Sequence, residues 1–197
     1  MKLAQISIIG MAVLCLSSCL NVATTGAQAV YNRHSIETNI NDQLTTYHVY
    51  QAINHKPEFF KDTNVAITTY NNEVLLAGQV PFAWQREKLK EVIKTIPDID
   101  HVYNLVEVSN PTSTLTRISD AWLTAKVKAK LIASADVDAT HVKVMTENGT
   151  VYLMGILRPD EAQAAVEVAR NTDGVQDVVK VFSYIIISHK SSLPLQG

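Results

Sequence analysis

From Val65 to Val80 the chain alternates apolar and polar side chains, breaks at Asn71-Asn72, and alternates again. The same pattern returns 77 residues later, from Val142 to Leu157. Val65, Ile67, Val74, Leu76, Gly78 and Val80 meet Val142, Val144, Val151, Leu153, Gly155 and Leu157. A period of two predicts half-buried strands, and Asn71-Asn72 and Asn148-Gly149 are turn residues that accept positive φ. Each copy therefore begins as a hairpin. Gly78 and Gly155 end the second strand, where glycine marks a bend or a close backbone approach.

A helix follows each hairpin. In the second copy Ala162, Ala165, Val166 and Ala169 form a helical stripe, with Pro159 in the first turn and Asp160-Glu161 at its positive end. Trp84, Lys88, Leu89, Val92 and Ile93 occupy the equivalent stretch of the first. A closing strand is predicted from Ile99, Val102, Tyr103, Val106 and Val108, matched by Val175, Val178, Val179, Phe182 and Tyr184 at an offset of 76. Asp98 and Gly174 turn the chain into it, and Gly174 joins Gly78 and Gly155 as a structural glycine. Ahead of each hairpin lies another helix. Its inward stripe is read as Ile36, Ile40 and Leu44 in the first copy and Leu123, Val127 and Leu131 in the second, where Ser119 or Asp120 would cap it. A stretch without counterpart, holding Tyr50, Pro57, Phe59 and Phe60, lengthens or adds a helix before Val65.

The expected fold class is α+β: two tandem αββαβ modules, each a three-stranded mixed sheet covered by two helices on one face, the first with an inserted or extended helical segment. The other sheet face is expected to be more exposed, and the second module, as residues 115–190, to fold alone. The modules are assigned to residues 35–109 and 117–187. A linker at 110–116 contains Asn110-Pro111-Thr112-Ser113-Thr114, and 188–197 form a C-terminal tail.

Residues 1–18 read as an export signal. Lys2 precedes an apolar run shorter than the ~20 residues of a spanning helix. Leu16-Ser17-Ser18-Cys19 resembles the bacterial lipobox, which implies cleavage before Cys19 and acylation of its thiol. A plain signal peptide with a coincidental cysteine is the other reading. Leu20, where an aspartate would retain the protein in the inner membrane, favours the outer membrane. The expected location is its periplasmic face, lipid-anchored, with residues 19–34 as lipidated start and tether. The other cysteine, Cys15, lies in the leader, so the exported chain relies on its core and not on disulfides.

Without Lys2 there are sixteen basic and nineteen acidic side chains, a balance that excludes a nucleic-acid partner. Six histidines form no short ligand pattern, no serine sits in a Gly-x-Ser-x-Gly elbow, and there is no phosphate loop. Asp98 and Asp100 fit a solvated turn. The reading is no metal, no cofactor and no enzyme.

What remains is a surface. Trp122, Lys126 and Lys130 recur at four-residue spacing and share a helix face; Lys128 widens the positive side, and Leu123 turns toward the core. An amphipathic ring beside lysines suits a headgroup layer. Residues 31–108 hold seven basic and ten acidic groups, and residues 112–190 hold nine of each, so only the second module lacks a net negative charge to oppose acidic lipid. Trp122 could instead plug the gap between the modules, and for Trp84, beside Arg86 and Lys88, module packing is at least as good a reading.

The hairpin ending Val74-x-Leu76-x-Gly78 and Val151-x-Leu153-x-Gly155, the Ala-rich helix after it, and Gly174-Val175-x-x-Val178 together resemble the BON domain. The first copy departs from the last motif with Asp98-Ile99. With the lipobox, the whole arrangement is similar to the dual-BON-domain lipoproteins of Gram-negative outer membranes. That resemblance implies a non-enzymatic lipoprotein that binds an anionic phospholipid membrane through the first helix of its second module. It also implies support of envelope integrity and a place at division sites. Carried onto this chain, the phospholipid-binding residues are Trp122, Leu123, Lys126, Lys128 and Lys130. The competing reading is a periplasmic protein-interaction adaptor that regulates an envelope protease, a folding machine or a cell-wall enzyme, with Phe59 and Phe60 in its contact patch.

Overall fold

The structure, a computed structural model, describes residues 26–185, with side chains described from residue 40 onward. The leader, Cys19, the tether before residue 26 and the tail at 188–197 lie outside the described residues. Both modules belong to the compact unit that starts at Asn39.

The first module runs α1 (Gly26–Asn54), α2 (Pro57–Phe60), β1 (Asn64–Tyr70), β2 (Glu73–Val80), α3 (Ala83–Ile93), β3 (His101–Asn104) and β4 (Glu107–Val108). The second runs α4 (Thr114–Ala133), a 3-10 turn (Ala139–His141), β5 (Val142–Glu147), β6 (Thr150–Leu157), α5 (Pro159–Arg170) and β7 (Asp177–Tyr184). In each sheet the hairpin is antiparallel, and the strand after the helix pairs in parallel with the hairpin's second strand. A parallel return needs a crossover, and α3 and α5 supply it. The unmatched stretch of the first copy extends α1 and adds α2.

Both hairpin turns place their two central residues at positive φ: Asn71 and Asn72 in the first, Asn148 and Gly149 in the second. This is the turn whose twist matches the strands. Gly78 and Gly155 face the start of the partner strand. A Cβ on Gly78 would sit 2.1 Å from the Asn64 carbonyl oxygen, and one on Gly155 would sit 2.4 Å from that of His141. Gly174 has a φ of +100° and turns the chain under Leu123. The closing strand of the first module is split. Asn104 turns its amide to the Arg86 carbonyl and accepts from the Val106 N–H, and Val106 drops into the core between β3 and β4.

Each module has its own core between sheet and helices. Val49, Ile53, Val74, Leu76, Leu89 and Ile93 fill the first, and Leu123, Val127, Leu131, Val151, Leu153 and Ala165 the second. The sheet faces away from the helices are not exposed. Leu75 and Ala77 of β2 pack with Tyr152 and Met154 of β6 and Val181 of β7. The two sheets meet face to face, giving four layers: α1 and α3, first sheet, second sheet, α4 and α5. The expectation of a more exposed second face fails because Val74-Leu75-Leu76-Ala77 and Val151-Tyr152-Leu153-Met154 are continuous apolar runs. Such runs suit strands buried on both sides.

One end of this seam is polar. Glu147, 6 % exposed, accepts from Asn64 Nδ2 at 2.6 Å, Gln79 Nε2 at 3.2 Å and Thr112 Oγ1 at 3.4 Å. Burial pushes its carboxyl above the ordinary range, opposed chiefly by the Gln79 hydrogen bond.

Candidate functional site

The second module's first helix begins earlier than the sequence suggested. The Ser113 side chain accepts from the Thr116 N–H at 3.2 Å and caps α4 at Thr114, within the segment read as linker. Ser119 and Asp120 are therefore not caps but part of the helix body. Asp120 points inward and accepts from the Asn148 and Gly149 N–H groups, each at 2.8 Å. Asp42 in α1 does the same for Asn71 and Asn72, at 2.9 and 3.1 Å. Thr124 and Thr46, one helical turn onward, donate to Thr146 and Thr69, each at 2.8 Å. A helix carboxylate thus clasps each hairpin turn. The repeated Asp-x-x-x-Thr was the sequence signal for it, and it was missed.

The inward stripe of α4 is Asp120, Leu123, Val127 and Leu131. Leu123 is 6 % exposed, so its assignment as a lipid contact is corrected: its side chain is spent in the core. On the opposite side Leu115, Ile118, Trp122 and Ile132 are 63–76 % exposed, with Ala125 and Ala129 between them. Steps of three and four residues make this one continuous apolar stripe. Trp122 does not plug the gap between modules, which the sheets fill. Lys128 and Arg117 are exposed on one flank. On the other, Lys126 Nζ donates to the Asp173 carbonyl and Lys130 Nζ to the Asn171 carbonyl, both at 2.9 Å.

The first module offers a contrast. Ile40, Leu44 and Tyr47 of α1 are 50–56 % exposed, while Asp42, Thr45, Val49 and Ile53 face inward. The predicted inward stripe is corrected: Ile40 and Leu44 face solvent, and the side chain of Ile36 lies outside the described residues. Residues 39–54 hold no lysine or arginine. Trp84, half exposed, stacks on Phe82 with ring centroids 6.3 Å apart and meets Phe59 edge-on, on the helix side and not between the modules. Phe60 is buried in the first core and cannot serve as an open contact patch.

Among the described residues no three His, Cys, Asp or Glu side chains converge as a metal site would need. No described helix is long and apolar enough to cross a membrane.

The model of the BON domain matches residues 41–110 and 119–185. The chain is 34 % identical over 151 residues to the 21 kDa hemolysin of Actinobacillus pleuropneumoniae, covering 77 % of this chain and 78 % of that one. It is 32 % identical over 171 residues to the outer membrane lipoprotein DolP of Haemophilus influenzae, covering 87 % and 89 %. The osmotically-inducible protein Y of Escherichia coli is 30 % identical over 121 residues, 60 % of each chain.

Proposed function

The chain belongs to the BON-domain family, as a non-enzymatic lipoprotein of the outer membrane, and from that premise we propose that its second module docks on anionic phospholipid through the outer face of α4. Docking in this way, it supports envelope integrity and concentrates where acidic lipid is enriched, division sites among them. The observation that carries the reading is the α4 stripe. Leu115, Ile118, Trp122 and Ile132 stand exposed opposite the core, between Arg117 and Lys128 on one flank and Lys126 and Lys130 on the other. A helix with an apolar face and basic flanks lies in the plane of a membrane interface, its ring at headgroup level and its cations on phosphate. Each cation near an anionic surface adds about 1 kcal/mol. The acyl anchor expected at Cys19 holds the protein at the membrane, and α4 chooses the lipid beneath it.

Co-sedimentation of the leaderless Cys19→Ser chain with neutral and anionic vesicles tests this. Wild type should bind the anionic vesicles selectively and lose most of that binding in 1 M salt, where screening reaches about 3 Å. Trp122→Ala should weaken binding about tenfold or more, since burying a large apolar side chain is worth roughly 1.5–3 kcal/mol. Trp122 is exposed, so its removal should leave the melting temperature unchanged. Full affinity in Trp122→Ala would refute docking through this face.

A further inference from the structure

The basic flank of α4 that carries Lys126 and Lys130 is already engaged. Both lysines reach across to the segment behind α5 and donate to the Asp173 and Asn171 carbonyls. The Asn171 carbonyl belongs to the α5 end, where unpaired carbonyls carry partial negative charge, and the Asp173 carbonyl lies just beyond it. That capping uses backbone atoms alone. The Asp173 carboxylate is an addition to it. Its Oδ2 lies 3.5 Å from Lys126 Nζ, with the Asp173 side chain 95 % exposed and that of Lys126 33 % exposed. Gly174, at a φ of +100°, then turns the chain toward β7, and Asp173, just before that turn, lies against the Lys126 flank of α4. The carboxylate therefore sits where a headgroup phosphate would have to approach Lys126.

We propose that Asp173 is a built-in counter-charge that sets the lipid selectivity of the α4 face. This inference rests on the docking reading above. In the free protein the Asp173 carboxylate opposes the charge of Lys126. At a membrane the lysine must exchange this carboxylate for lipid phosphate, and Asp173 itself is repelled by the surface. A weakly charged bilayer does not repay that exchange, whereas a densely anionic one does. Asp173 thereby raises the threshold of surface charge at which the module docks, and it confines the protein to acidic regions of its own membrane.

Asp173→Asn separates this role from capping, because it keeps the backbone carbonyl that Lys126 uses. The leaderless Cys19→Ser chain, wild type and variant, is titrated with phosphatidylcholine vesicles holding rising fractions of phosphatidylglycerol. Asp173→Asn should bind anionic vesicles about fivefold more tightly, the gain expected from removing one opposing charge near such a surface. It should reach half-saturation at a lower phosphatidylglycerol fraction. Neutral vesicles should show no difference, and the gain should vanish in 1 M salt. Asp173→Lys should move further in the same direction, which guards against a local effect of the asparagine. Unchanged or weaker binding by folded Asp173→Asn and Asp173→Lys, with wild type still selective for anionic lipid, would overturn the proposal and leave the docking reading standing. Absence of wild-type binding to anionic vesicles would overturn both.

Discussion

Single side chains at the module seam carry a pH signature. Glu147 is enclosed by Asn64, Gln79 and Thr112, and burial raises its carboxyl pKa. A raised pKa means the folded state holds its proton to higher pH than the unfolded chain does. The contribution of Glu147 to stability is then fully present below the ordinary carboxylate range and is lost as pH rises through the elevated value. Glu147→Gln keeps the acceptor oxygen and removes the titration. Thermal melts should show the variant gaining on wild type as pH rises from 4 to 7; a constant difference would refute the assignment. At the other end of the chain, Cys19→Ser should abolish acylation, read by loss of palmitate label from the protein. Gly78, Gly155 and Gly174 were legible in the sequence because a glycine at a strand end or a turn has a backbone reason. Glu147 was not legible, because its partners come from three distant stretches and nothing in its own neighbourhood marks it as buried.

Among the elements, the clasp between helix and hairpin is the feature that unites the two modules. Asp120 satisfies two turn donors at once, the Gly149 N–H buried and the Asn148 N–H partly so, and both hydrogen bonds are charge-assisted. Asp120→Ala leaves the buried Gly149 donor without a partner and should cost about 2 kcal/mol, seen as a fall in the denaturation midpoint. An unchanged midpoint would mean that water replaces the carboxylate without penalty. The hairpins, crossover helices and order of elements were readable because periods of two and 3.6 recur at a fixed offset. The face of α1 was not. Its inward positions hold Asp42 and Thr45, polar residues with hydrogen-bonding work, while Ile40 and Leu44 stand outside. Periodicity finds an apolar stripe but does not say which side of the helix the sheet lies on. In α4 both sides carry apolar residues, and the stripe read as core happened to be the inner one. Leu123 is a different case: periodicity places it toward the core, and the lipid role comes only from the family resemblance, although a residue next to Trp122 in sequence lies over a quarter turn away on the helix.

In the molecule as a whole, the seam joins the modules into one body. Tyr152, Met154 and Val181 are buried against Leu75 and Ala77, so removing the first module exposes a continuous apolar face. The second module alone, residues 113–187, should therefore melt lower than the intact chain and self-associate, by light scattering. Tyr152→Thr with Met154→Thr should restore the monomer. A fragment as stable and monodisperse as the whole chain would show that the seam contributes little. The sequence carries the sign of this seam in its four-residue apolar runs, but a run of that length in one strand does not name what covers it.

The four-layer order also fixes a height. Packed layers stand about 10 Å apart, so the outer helices of the first module lie on the order of 30 Å from α4. With α4 in the headgroup layer, the Phe82–Trp84 stack and the uncharged stripe of α1 are held aloft on the far side. If α4 docks as proposed, that spacing sets how far from the bilayer anything arriving at the aromatic surface would stand.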